Sequence, residues 1–296
     1  MRRALNGLVL GLVALGMAAV AEAGFAPYKL VGEVAGAVPD LAAQVETAVG
    51  GAGFQVVGKF SPGDKPDAQM VVICTHPMVL QAIAQSGDNT GFAAGLRIGL
   101  WKNKAGKVEI SYENPEYIQH AYFGKKVIAQ LASTVSKRLG DALATVAGGN
   151  QDQGFGGNLE GDDLAKYHYM VGMQRFGDVV TAGEFASFQE AVSTIDANLA
   201  AGKGGNKLVY KIQIPGQEMV DYGVAMDHER KYLDIIGSRH IAAQPYSLLV
   251  VGKKAVTLHG RYRIALHWPE LTMTTFTKII TTPGNIADSM KAVCSK

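Results

Sequence analysis

Cysteine is scarce in this chain of 296 residues, which carries only Cys74 and Cys294. Two thiols cannot supply a zinc site of paired cysteines, and they allow one disulfide at most, far below the density of a disulfide-held scaffold. An excess of charge of one sign is missing too, with 28 basic residues against 26 acidic and no long run of either. That balance leaves no electrostatic footprint for nucleic acid or a lipid surface, so the expected partner is a small ligand, a metal ion or another envelope protein. Catalytic signatures are absent as well: no C-x-x-C-H, G-x-S-x-G, H-E-x-x-H or G-x-x-x-x-G-K-[ST] occurs. The G-x-G spacings in GGAGF and GFGGN neither follow a strand nor open a helix as a nucleotide loop must. A non-enzymatic role is therefore expected, and an enzyme would have to use Cys74 and His76.

Long apolar runs are confined to the N-terminus. MRR is followed by an apolar run from Ala4 to Val20 and then by Ala21-Glu22-Ala23. This is the charged, hydrophobic and small-residue order of a secretory signal peptide, and cleavage is expected after Ala23, with an uncleaved anchor as the alternative. The mature chain then holds no membrane span, and a periplasmic or secreted location follows.

What is present reads as one α+β pattern written twice. Tyr28 to Val34 is strand-like, Val38 to Val49 carries a helical apolar stripe, and Phe54 to Phe60 and Ala68 to Cys74 read as strands. A helix with Val79, Leu80 and Ile83 follows, then a hairpin of Leu96 to Lys102 with Lys107 to Tyr112. Asn114-Pro115 opens another helix as cap and first residue, and a long helix spans about Lys125 to Val146. Gly148 to Asp163 has the composition of a flexible linker. Beyond it the order recurs: a helix with Phe188, Val192 and Ile195, strands Lys207 to Ile214 and Met219 to Met226, a helix from Arg230, a hairpin of Ser247 to Val251 with Ala255 to Leu266, and a last helix to Cys294. The expected organisation is a signal peptide over 1–23, a first repeat over 24–147, a linker over 148–163 and a diverged second repeat over 164–296. In this register Phe176-Gly177-Asp178-Val179 matches Val31 to Val34, Met226-Asp227-His228 matches Cys74-Thr75-His76, and Trp268-Pro269-Glu270-Leu271 matches Asn114 to Tyr117. The fold class expected is two tandem small α/β sandwich units related by a pseudo-two-fold axis, each a mainly antiparallel sheet with helices on it.

The first half, with GAGFQVV, a strand ending VVICTHP and the later KVEISYENPEY, resembles the bacterial domain-of-unknown-function family 302 over about Val38 to Leu143. Members typically end one strand in a short polar-Pro turn, here Cys74 to Pro77, and another in a vSY-x-x-P turn, here Ser111 to Pro115. The resemblance implies a compact α+β unit that tends to pair with another copy, and it implies no catalytic residues. The second half lacks the proline after Asp227-His228-Glu229 and is a remote copy, so the pairing would be internal.

Chemistry concentrates where the strand ending in ICTHPM meets a helix. If the strand stays extended, Cys74 and His76 share a face, and the helix start after Pro77 favours thiolate and neutral imidazole. Met78 adds a thioether, and this donor set suits copper better than magnesium or calcium, with His228 as the degenerate copy of the site in the second half. The alternative is that Cys74 is a small buried apolar group, His76 a helix cap and Met78 core filling. Tyr112, Tyr117, Tyr122 and Trp268 are candidates to line a ligand pocket between the halves, or ordinary core. His168, Met170 and Met173 read as packing, His240, His259 and His267 as solvated or hydrogen-bonded, and His120 as an ion-pair partner of Glu116. Cys74 and Cys294 are expected not to be bonded, one ending a core strand and the other closing the last helix. Three functions fit: an exported binding or accessory protein with its ligand at the Cys74/His76 turn or between the halves, a thiol-dependent redox or sulfur-handling protein using Cys74, or a structural envelope partner.

Overall fold

The computed structural model describes residues 24–296, so the expected signal peptide lies outside the described residues. The chain is α+β, built on two antiparallel sheets. The first unit runs β1 (Tyr28–Val34), α1 (Val38–Gly51), β2 (Gln55–Phe60), β3 (Gln69–Thr75), α2 (Pro77–Ser86), β4 (Leu96–Lys102), β5 (Val108–Glu113), α3 (Pro115–Phe123), α4 (Ala129–Ala147) and β6 (Gln153–Phe155). The second runs α5 (Gly161–Leu164), β7 (Val180–Glu184), α6 (Phe188–Ala200), β8 (Lys207–Gln213), β9 (Met219–Ala225), α7 (Glu229–Ile236), β10 (Tyr246–Val251), β11 (Lys254–Thr257), α8 (Gly260–His267), α9 (Met273–Phe276) and α10 (Thr282–Cys294). The sheet orders are β2-β3-β4-β5-β1-β6 and β7-β11-β10-β9-β8. Read from the same end, the five strands common to both have one order, as duplication requires.

Register makes the correspondence residue by residue. On β2 a bulge falls between Val56 and Gly58 opposite β3, and on β8 one falls between Leu208 and Tyr210 opposite β9. The bulge opposite β5 between Leu30 and Gly32 has its copy where Gly183 and Thr181 face Ala255 and Val256. These registers correct two expected matches. Ala182-Gly183-Glu184, not Phe176-Gly177-Asp178, stands where Val31-Gly32-Glu33 stands. Asn114 matches His259 rather than Trp268: each caps the helix after the fourth common strand of its sheet, Asn114 accepting from Glu116 N–H at 3.1 Å and His259 from Arg261 N–H at 3.3 Å. The apolar run from Ala255 to Leu266 therefore divides into a short strand and α8, because the His259 cap starts a helix inside it.

The segment 148–163 is not a free linker. Gln153–Phe155 adds a sixth strand beside β1, Phe25 and Leu159 exchange backbone hydrogen bonds of 2.7 and 3.0 Å, and Phe155 is buried against Tyr28. Glycine there does not release the backbone from a sheet edge that offers pairing partners.

Helices cover one face of each sheet. In α1, Leu41, Val45 and Val49 are buried, and in α4 the buried stripe includes Val135, Leu139 and Leu143, with Gly148 closing the helix in the left-handed region at φ +73°. The other faces meet. A methyl placed on Gly99 would lie 3.0 Å from Ile241 Cγ1, and one on Gly91 would lie 2.5 Å from Leu249 Cδ1. By register Gly99 corresponds to Leu249 and Gly91 to Ile241, so the contact is reciprocal, as across a two-fold axis. Two further equivalent pairs touch directly: Arg97 Nη2 donates to Ser247 Oγ at 2.9 Å, and Tyr122 Oη lies 3.2 Å from His267 Nε2.

Gly58 shows how close the units come. A Cβ there would collide with the backbone carbonyl oxygen of Val209, which has no free rotamer to escape into. Gly58→Ala is expected to lower stability by about 1–3 kcal/mol. Gly50→Ala, on the open face of α1, is expected to raise it by about 0.5–1 kcal/mol. Urea melts of the two variants check both signs, and equal effects would contradict the close approach.

Candidate functional site

The strand leading into Cys74 places its side chains alternately toward the second unit and toward the helices. Ile73 faces Arg97 in register, and Arg97 reaches Tyr210 and Ser247 of the second unit. Cys74, one residue on, therefore points into the core of the first unit, where it is fully buried. Burial pushes its thiol well above the ordinary range, the opposite of a working nucleophile. His76 caps α2: its Nδ1 accepts from Met78 N–H at 3.2 Å, and its ring sits 4.9 Å from that of Phe54. Burial, assisted by Arg138, lowers its pKa and keeps the imidazole neutral.

The expected copy at His228 is not equivalent. Cys74 lies opposite Val56 and Leu96, and the residue with the matching neighbours Leu208 and Tyr246 is Val224. Met226 thus stands where His76 does, and Asp227 and His228 extend the turn before α7. His228 Nε2 is buried without a partner, and burial lowers its pKa. Among the described residues no three His, Cys, Asp or Glu side chains come together as a metal site. Cys74, His76 and His228 are therefore not gathered into one such group. Both cysteines are free and buried, as expected.

Because the thiol is closed off, labelling of Cys74 in a Cys294→Ser chain is expected to be more than about a thousandfold slower in buffer than in urea, since it must await global opening. Thiol-reagent kinetics measure this, and similar rates in the two solvents would restore the reactive reading.

Of the aromatic candidates, Tyr112 points away from the junction. Its hydroxyl sits against α4, donating to Ser136 O at 3.4 Å. Tyr117 and Tyr122 do lie between the units, Tyr117 donating to Leu266 O at 2.8 Å. Trp268 closes the C-terminal end of α8 and is 3% exposed, with its Nε1–H unpartnered. It does not share a pocket with Tyr112. His120 stacks on Phe25 with ring centroids 4.6 Å apart, and His168 is half-buried, its Nδ1 3.1 Å from Lys166 O.

The largest polar constellation is one that sequence reasoning passed over. Arg97 is 2% exposed and donates to Glu113 at 2.9 Å, to Gly95 O at 3.0 Å and to Tyr210 Oη at 3.1 Å. Tyr210 donates to Asp221 at 2.7 Å, and His267 Nδ1 lies 3.1 Å from Glu113 Oε1. Burial raises the Asp221 carboxyl to about 6 even though Arg97 opposes the shift. Burial together with Arg263 and Arg97 holds His267 neutral. This network is fully enclosed and joins the two units.

An open cleft lies at the same junction. The end of β2 and the turn after it supply Phe60, Ser61, Gly63 and Asp64, and the second unit supplies Lys207, Leu208, Asp227, Glu229 and Lys231 around about 540 Å³. Lys65 of the turn reaches Asp234 of α7 at 2.7 Å and ties the two sides together. Glu229 lines the cleft, is 2% exposed, and has a buried oxygen without a hydrogen-bond partner. Burial raises its carboxyl well above the usual range, although a backbone hydrogen bond at Met226 opposes the shift. Two basic side chains, Lys207 and Lys231, complete the lining. Nothing in the primary sequence marked Glu229, since an acid opening a helix is ordinarily a solvated cap.

No helix among the described residues is long and apolar enough to cross a membrane. None of the curated proteins matches the chain. Residues 33–146 match the family described as Domain of unknown function DUF302. A crystal structure of an uncharacterized conserved DUF302 protein from Bacillus stearothermophilus aligns at 15% identity with a TM-score of 0.36, covering 41% of this chain and 98% of that one. The resemblance read from VVICTHP and KVEISYENPEY therefore holds, and the DUF302 match lies in the first of the two units.

Proposed function

We propose that this chain is an exported, non-enzymatic binding or accessory protein that holds a small polar ligand in the cleft between its two units. The observation that carries this reading is Glu229: a buried carboxyl, its pKa raised by that burial, with an unpartnered oxygen, lining a cleft to which both units contribute. A buried polar atom without a partner costs free energy unless something satisfies it, and a bound ligand does so. Lys207 and Lys231 favour an anionic group on that ligand, while Glu229 and Asp227 favour a hydrogen-bond donor on it. Cys74 and His76 take no part, which removes the support for a thiol-dependent role. The charged, hydrophobic and small-residue order of residues 1–23 supports export.

Native mass spectrometry of the protein recovered from the exported fraction of its producing cells tests the reading. A stoichiometric small-molecule adduct is expected in the wild type and in Cys74→Ala, and it should be lost in Glu229→Leu. An adduct that survives Glu229→Leu but disappears in Cys74→Ala would return the site to the opening turn, and a wild type without any adduct would count against a binding role.

A further inference from the structure

Two segments of the second unit bring exposed apolar side chains to one place. The connection that runs over 124–128 between α3 and α4 becomes 268–281 between α8 and α10, long enough to hold α9. The other segment is the loop of 165–179 that leads from α5 into β7. Tyr169 and Met173 of the loop meet Met273 and Phe276 of α9 around a gap of about 30 Å³, room for one water, so the two arms pack on each other. The tip of the loop is an ordered turn. Met173 N–H donates to Met170 O at 3.0 Å, and Gly172 takes the left-handed φ of +82° that lets the chain reverse there. This turn leaves Val171 95% exposed and Met170 51%, beside Tyr169 at 36% and Met273 at 48%. Grouped apolar exposure of this kind differs from the single exposed side chains that any surface carries.

The rim of the patch is basic. No acidic residue stands between Asp163 and Asp178, while Lys166 and Arg175 do, and Arg261 lines the gap beside Met273. These three side chains are exposed and form no ion pair among the described residues. Asp178 is turned to the backbone N–H of Arg175, from which it accepts at 2.8 Å, and Glu270, the single acid of 268–281, is matched by Lys278. Valine and methionine at an exposed tip, tyrosine beside them and unpaired cations around them suit a bilayer interface. There apolar tips enter the acyl boundary, tyrosine sits at headgroup level, and Lys and Arg meet lipid phosphates. A protein partner fits less well, because four side chains expose far less than the roughly 800 Å² that each side of a stable interface buries.

We propose that the turn Met170-Val171-Gly172 docks the second unit on the surface of an anionic phospholipid bilayer, with Tyr169 and Met273 at the headgroups and Lys166, Arg175 and Arg261 on the phosphates. The balanced charge of the whole chain hides this footprint, since the local excess is offset elsewhere. The docking surface is separate from the cleft at Glu229 and does not depend on a ligand there.

The test is co-sedimentation of the protein, without residues 1–23, with vesicles of phosphatidylglycerol and phosphatidylcholine in equal parts and with vesicles of phosphatidylcholine alone. Binding to the first is expected, at least about tenfold tighter than to the second. Lys166→Ala with Arg175→Ala should weaken it by about thirtyfold, at roughly fivefold for each basic residue near an anionic surface. Met170→Asp with Val171→Asp, at exposed positions of the turn, should weaken it by at least about tenfold. Far-ultraviolet circular dichroism identifies both variants as folded. In a Val171→Trp chain the added indole emission should shift to the blue on binding, which places the tip in the interface. The proposal is overturned by wild type that stays in solution with the anionic vesicles, by equal binding to both kinds of vesicle, or by unchanged binding in the Met170→Asp, Val171→Asp chain. It is overturned equally by sedimentation velocity that shows a dimer of wild type lost in that same variant, which would give the patch to a second copy of the chain.

Discussion

Arg97→Ala is expected to destabilise the whole chain by about 3–5 kcal/mol, because it leaves Glu113 as an unpaired charge in the interior. The two side chains are each 2% exposed and 2.9 Å apart. Removing the guanidinium also strips a donor from Gly95 O, Tyr210 and Ser247. Because Tyr210 and Ser247 belong to the second unit, the loss loosens the junction and not merely one sheet. Replacing both partners by apolar residues, Arg97→Met with Glu113→Leu, is expected to recover much of the loss, since no buried charge is then left alone. Urea unfolding of the single and double variants makes the comparison. A single variant within about 1 kcal/mol of wild type would mean that the junction does not depend on this pair.

The second large effect is opposed pH dependence in two variants of the same interior. His240 of the second unit stacks on Tyr28 of the first with ring centroids 5.0 Å apart, and burial, assisted by Arg239, lowers its pKa from 6.5 to about 4. A histidine depressed in the folded state contributes stability that is present above pH 6.5 and is lost as pH falls through that value toward 4. Asp221 behaves in the reverse sense. Its carboxyl is raised from 3.8 to about 6, so its contribution is present below pH 3.8 and is lost as pH rises toward 6. At roughly 1.4 kcal/mol per pH unit for each proton, the two contributions are both about 3 kcal/mol, and they largely cancel in the wild type. His240→Gln removes one side of the balance, so between pH 7 and pH 4 that variant should gain about 3 kcal/mol relative to wild type. Asp221→Asn should lose a similar amount over the same range. Only the slopes matter here, because each substitution also carries a pH-independent cost. Chemical denaturation at a series of pH values measures them, and parallel curves for the three proteins would show that neither group titrates as its burial requires.

Much of the fold was legible because it is written in local patterns. Alternation and apolar runs marked the strands from Tyr28 to Tyr112, and Asn114-Pro115 announced a helix start that the structure contains. The duplication was legible as an order of elements, but its register was not. The turn before α7 carries Asp227 and His228 beyond the strand, whereas His76 caps α2 directly after β3, so a match made on histidines slipped relative to the strands. Trp268-Pro269 imitated Asn114-Pro115, while the true counterpart, His259, hid in an apolar run that reads as one long strand. Buried charge was the least legible feature. Arg97, Glu113, Asp221 and Glu229 are residue types ordinarily found in water, and the pairings that make the burial of the first three tolerable, Arg97 with Glu113 and Asp221 with Tyr210, join neighbouring strands whose alignment only the fold reveals. At the candidate site, Trp268 is a buried residue at the end of α8, away from Tyr112, while Cys74 draws attention through chemistry that its burial withholds.

The two units form one body, joined through Arg97, Glu113 and His267, with an open cleft at their seam. Each unit carries one tryptophan, Trp101 in the first and Trp268 in the second. The direct test is urea unfolding of Trp101→Phe and Trp268→Phe chains, following the remaining tryptophan and the far-ultraviolet circular dichroism of each. The account predicts a single transition in which both signals share one midpoint within each variant. A tryptophan midpoint that departs from the circular dichroism, with a plateau between two steps, would show units that fold separately and would contradict it.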